Sequence, residues 1–178
     1  MTHLLPVDDE VNLLAALKRV LNRGLQRHDL TIDTFSDPQA ALIRAAGVPY
    51  DLVVSDYRMP TMDGVSFLKH FRQIQPDVPR IILSATTDFA TLMAAVNEAG
   101  IHRYLVKPWD DDEIVAVVRD ALSFHDRTIE DRLLAEQKRS ERGQLTPEEI
   151  ELRRLEQAEP GITQVRRGPD GAVLLDDE

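Results

Sequence analysis

Four places along the chain carry side chains that could act together on one group. The apolar run HLLPV ends in Asp8 and Asp9, and LVVS ends in Asp56; RIIL leads into Ser84, and RYLV into Lys107. Each polar group directly follows a β-like run. If those runs are parallel strands, their carboxyl ends share one edge of a sheet, where ligands of open α/β sheets bind. Three gathered carboxylates repel one another and require a neutralising cation, and a hard divalent ion such as Mg²⁺ takes oxygen ligands. A metal, a hydroxyl and an ammonium around one carboxylate suit a phosphoryl group, whose charged oxygens need cationic and hydrogen-bonding partners. Taken singly these features are ordinary: an Asp pair after a strand favours a helix dipole in solvent, and Lys-Pro is a turn. Occurring jointly, each at a strand end, they point to a phosphoryl-accepting Mg²⁺ site.

The elements that must position these groups are legible as an alternation. Apolar runs at 3–7, 30–35, 51–55, 80–83 and 104–106 are separated by amphipathic stretches at 11–23, 38–46, 65–74, 89–99 and 112–124. In the first of these stretches Leu13, Leu14, Leu17, Val20 and Leu21 make one apolar stripe of a helix. Gly24, Gly47 and Gly100 fall where left-handed helix caps are expected, and Ser36-Asp37-Pro38 reads as a helix start. Five βα units predict an α/β fold, a parallel sheet with right-handed crossovers and helices on both faces. Pro6 is the misfit, because proline removes a ladder donor from a strand.

Four segments, VDDE at 7–10, DYRMPTMDG at 56–64, LSA at 83–85 and YLVKPW at 104–109, occur in an order and spacing that resembles the receiver domain of two-component response regulators, over about residues 3–124. That resemblance implies a five-stranded, doubly wound, flavodoxin-like sheet of strand order 2-1-3-4-5. It implies that Asp56 accepts a phosphoryl group from a sensor histidine kinase or a histidine phosphotransfer protein. Mg²⁺ would be held by Asp9, Asp56 and the backbone carbonyl of Arg58, with Asp8 acting mainly through metal-bound water. Lys107 would pair with Asp56 or the phosphoryl group, Ser84 would swing to bond a phosphoryl oxygen, and Tyr104 would move inward behind it. The resemblance also implies a cis peptide at Lys107-Pro108. Arg58 and Thr86 match positions that shape access of the hydrolysing water, and Arg58 is expected to shield the phosphoryl group. Trp109 is expected to pack as local core.

Beyond the receiver-like part, residues 125–178 are expected to form an extension. The helix of 112–124 runs on toward Gly143, a second starts at Thr146-Pro147 with Glu149 completing a capping box, and 162–178 reads as two short strands around Gly-Pro-Asp-Gly. About 54 residues is small for an independent core, so the extension is expected to lean on the first domain or on another chain. Ile129, Leu133 and Leu134 give its helix a partial apolar stripe suited to a second copy or another protein. The extension has no Gly-rich phosphate loop, no metal motif and only one histidine, His125, so no enzyme activity is expected. The formal charge is -10, shared equally between residues 1–124 and 125–178 at -5 each. That leaves no cationic surplus for nucleic-acid phosphates. Cysteine is absent, which excludes disulfides and thiolate chemistry. No apolar stretch reaches the roughly 18 residues a membrane span needs, and a cytoplasmic protein is expected. The expected output is a switch of protein contacts on the face built by 89–99, 104–106 and 112–124. Rival outputs are transcriptional control through an unrecognised DNA-binding tail, or a phosphate sink.

Overall fold

Successive residues of a strand face opposite sides of its sheet, and the strands here are apolar on both. Leu4, Leu52, Val54, Ile81 and Leu83 are buried on one side, and Leu5, Val53 and Ile82 on the other. Such a sheet needs helices on both faces. In a computed structural model of the protein the order is β1 (Thr2–Val7), α1 (Val11–Leu25), β2 (Leu30–Ile32), α2 (Pro38–Ala45), β3 (Leu52–Asp56), α3 (Gly64–Ile74), β4 (Arg80–Ser84), β5 (Arg103–Val106) and α4 (Asp111–Glu141). The structure describes residues 1–26, 29–85, 97, 99–141, 151, 154, 155 and 157. Thr86, most of the helix expected at 89–99, the helix start at Thr146 and the strands expected within 162–178 lie outside the described residues.

The five strands are all parallel in the order β2-β1-β3-β4-β5, the doubly wound receiver-type order expected above. Leu17, Leu21 and Leu25 of α1 pack with Ile114, Val118 and Leu122 of α4 on one face. Ala41 and Ala45 of α2 pack with Phe67, Leu68 and Phe71 of α3 on the other. Helix starts are fixed locally. The Asp37 carboxylate accepts the Gln39 N–H before Pro38 opens α2, and the Asp63 carboxylate accepts the Ser66 N–H at α3. Asp111, Asp112 and Glu113 in the first turn of α4, with Lys138 and Arg139 in its last, match the helix dipole.

Pro6 does lie in an internal strand, and the register shows how. A residue in a parallel ladder aims its N–H and C=O at the same neighbour. The Leu4 and Pro6 carbonyls accept the N–H groups of Asp33 and Phe35, both at 3.0 Å. The missing donor of Pro6 therefore faces β2, opposite Asp33, and the ladder to β3 runs on through Leu5, Pro6 and Val7. The strand expected over 30–35 consequently stops at Ile32 and resumes only as a bridge between Val7 and Phe35.

Two glycine expectations are corrected. Gly24 lies inside α1, whose left-handed cap is Gln26 at φ 48; it serves packing, since a Cβ there would come within 2.3 Å of Val115 on α4. Gly47 follows Ala46, a right-handed cap, so α2 ends without a left-handed residue. Gly100 does adopt φ +59.

The chain divides into two compact units, Met1–Ile129 and Glu130–Glu178. In the second, Leu133 and Leu134 stand exposed at 54% and 47%, and Arg132 pairs with Glu136 one turn on at 3.3 Å. Among the described residues no helix is long and apolar enough to cross a membrane.

Candidate functional site

The parallel register brings the strand ends together. Val7 pairs with Ser55, Asp56 with Leu83, and Ser84 with Val106, so the residues after β1 and those closing β3, β4 and β5 share one edge. Asp8, Asp9 and Asp56 each offer a carboxylate oxygen, and these oxygens lie within 4.8 Å of one another. Oxygens on opposite sides of one hard cation stand about 4–5 Å apart, so the three residues fit a single divalent ion. Asp8, Asp56 and Ser84 are buried and Asp9 is exposed, giving the pocket an open side.

Lys107 bridges two of the acids. Its Nζ stands 2.8 Å from Asp8 Oδ2 and 2.5 Å from Asp56 Oδ1. Its backbone N–H donates to the Ser84 carbonyl at 2.8 Å, and the peptide to Pro108 is cis. Burial alone would push the Lys107 ammonium down, but its hydrogen bonds to Asp56 and Asp8 outweigh this and raise it. Burial pushes the Asp8 carboxyl up, against the opposing pull of Lys107 and the Glu10 N–H. The two shifts agree physically: one ammonium divided between two buried carboxylates satisfies itself better than it satisfies either acid. Three carboxylates against one ammonium leave two formal negative charges, the deficit a divalent cation fills.

The other Asp56 oxygen, Oδ2, accepts the Arg58 N–H at 2.8 Å. This folds the chain after β3 back over the acid and keeps the Arg58 backbone beside the pocket, with the guanidinium side chain exposed. Gly64 is required by close approach: a Cβ there would lie 2.1 Å from the Asp56 carbonyl oxygen. Tyr104 is half-buried on β5 and packs against the α2–α3 core. Trp109 packs against the opposite core. The structure thus gathers Asp8, Asp9, Asp56 and Lys107, and places Ser84 on the same edge. Sequence reading passed over Ser55 and Gly64 as contributors; a serine inside the apolar run LVVSD and a glycine after Asp63 were the available signals.

A doubly wound parallel sheet with an acidic pocket and a bridging lysine at its carboxyl edge is the receiver-type class of α/β domain. Residues 4–119 match the response regulator receiver domain family, and the chain belongs to that family. It is 39% identical over 119 residues to the hydrogenase transcriptional regulatory protein HoxA of Cupriavidus necator, covering 67% of this chain and 24% of that protein. It is 38% identical over 119 residues to the DNA-binding transcriptional regulator NtrC of Escherichia coli, with the same coverage of 67% and 24%. The chain therefore spans about a quarter of the length of these two relatives. Among solved structures, the signal receiver domain of an HD domain-containing protein from Pseudomonas fluorescens superposes with a TM-score of 0.65 at 33% identity, covering 71% of this chain and 98% of that one.

Proposed function

We propose that this chain is a response regulator of a two-component phosphorelay, in which Asp56 accepts a phosphoryl group from a histidine kinase or histidine phosphotransfer protein. The observation that carries this reading is Asp56 itself. It is a buried carboxylate, within 4.8 Å of two further acids and held by Lys107 on one oxygen and the Arg58 N–H on the other. In the reaction, a bond forms between an Asp56 oxygen and phosphorus as the bond from phosphorus to the histidine nitrogen breaks, and that nitrogen keeps the electron pair. Mg²⁺, held by Asp8, Asp9, Asp56 and the Arg58 carbonyl, would supply positive charge to the phosphoryl oxygens. Lys107 neutralises the acyl phosphate from the side opposite Arg58, and Ser84 donates to a phosphoryl oxygen once the group is in place. The chain transfers no group to a further substrate in this reading and is not an enzyme in its own right. It works in the cytoplasm.

Phosphorylation then biases a two-state equilibrium. Ser84 and Tyr104 are its moving parts, and the face around β5 and α4 with the C-terminal extension is its output, read by a second copy or another protein. The test is incubation with acetyl phosphate, with and without Mg²⁺, followed by intact mass. A gain of one phosphoryl group that needs Mg²⁺ and is lost in Asp56→Asn supports the reading, and no gain in the wild type overturns it. One observation favours a second reading, transcriptional control: both relatives named above are transcriptional regulators. Salt-dependent retardation of DNA by the chain would support it.

A further inference from the structure

A buried hydroxyl that no step above uses lies directly beside the acceptor. Ser55 is fully buried in β3, where an apolar residue would pack without the cost of desolvating a polar group. Its Oγ donates to the Asp56 backbone carbonyl at 2.9 Å. The adjoining groups are fixed in turn: the Tyr57 N–H donates to the Leu83 carbonyl, and the Tyr57 carbonyl accepts the Gly64 N–H, both at 2.8 Å. The Arg58 N–H then closes on Asp56 Oδ2. Gly64 leaves room for this lacing, since a Cβ there would meet both the Asp56 carbonyl and, at 3.1 Å, Ser55 Oγ.

We infer that Ser55 is a positioning residue for phosphoryl transfer at Asp56, its hydroxyl fixing the peptide that follows the acceptor. The inference rests on the reading of Asp56 as acceptor and adds a residue to it. The peptide plane after Asp56 sets where the chain turns, and hence where the Asp56 carboxylate and the Arg58 carbonyl point. Without the hydroxyl, the Asp56 carbonyl loses its buried donor and that plane is held only from its other side, by the Tyr57 N–H on the Leu83 carbonyl. A group that orients a metal ligand from behind acts on affinity as well as on rate.

The test uses the full chain and two probes: calorimetric titration with MgCl₂ alone, and the rate of phosphorylation by acetyl phosphate. Ser55→Ala should weaken Mg²⁺ binding about tenfold, the usual scale for residues behind a metal ligand, and slow phosphorylation to match. Ser55→Thr, which keeps the hydroxyl, should restore most of both. Val53→Ala removes core volume from the same strand; it should lower the melting temperature yet leave Mg²⁺ affinity unchanged. If Ser55→Ala does not fold, Ser55→Cys, similar in size but a much weaker donor, is read in its place. Wild-type affinity and rate in the Ser55 variant would overturn the inference, as would Val53→Ala weakening Mg²⁺ equally. A wild type that takes up no phosphoryl group overturns the acceptor reading and this inference with it.

Discussion

At the scale of single residues, the pocket is a set of charges that the fold tolerates rather than prefers. Asp8 has a raised pKa, with burial as the leading cause. Its contribution to stability is therefore complete below its ordinary value of 3.8 and lost as pH rises through its higher folded value. At neutral pH the buried carboxylate is a net cost. Asp8→Asn should accordingly melt above the wild type in Mg²⁺-free buffer at neutral pH, by roughly 1 kcal/mol. The gain should shrink at acid pH, and a lower melting temperature at neutral pH would contradict a burial-led cost. Lys107 runs the same way along the pH axis, but at alkaline values. Its raised pKa means that its share of stability is complete below 10.5 and lost as pH climbs through the folded value. A pH series of thermal melts should show that alkaline loss in the wild type and not in Lys107→Met.

At the scale of elements, two features decide how the strands meet. Pro6→Val restores a donor opposite Asp33 and should let β2 pair on toward Phe35. The new hydrogen bond is worth about 0.5–1.5 kcal/mol, but losing proline releases the unfolded chain by about 0.4–1 kcal/mol. The melting temperature should hardly move, while the amide at position 6 becomes protected from hydrogen exchange; an unprotected amide would refute the assigned direction of the gap. Arg80 is the second feature. It is 8% exposed and donates to the carbonyls of Pro76, Val78, Ala99 and Gly100 at 2.8–3.2 Å. Burial pushes its pKa down to about 10, yet a guanidinium sharing four carbonyls has what it needs to stay charged. Arg80→Met leaves those carbonyls without their donor and should cost roughly 2–4 kcal/mol in chemical denaturation. A cost below about 1 kcal/mol would mean water replaces the side chain.

For the whole molecule, the proposed output predicts a change in assembly. Beryllofluoride with Mg²⁺ mimics the phosphoryl group and should shift the protein to a larger species on sizing. The shift should disappear when the chain is cut after Ile129, the end of its first compact unit. An unchanged profile in the full chain would remove self-association from the proposal. The formal charge of -10 opposes bringing two copies together, so added salt should favour the larger species by screening.

The sequence alone determined the number of strands and their order along the chain, and which polar residues end them, because both follow from periodicity and position. Alternating apolar runs and stripes leave few ways to bury both faces of a sheet, so the fold class and the candidates Asp8, Asp9, Asp56, Ser84 and Lys107 were readable. The particular strand order came through resemblance, since no local pattern records which strand lies beside which. Only the tertiary structure decided where the backbone donors point. That direction made Pro6 tolerable in an internal strand and ended β2 at Ile32, while packing between helices made Gly24 a helix contact rather than a cap. Hydrogen-bond direction depends on neighbours distant in sequence, so composition and spacing cannot carry it.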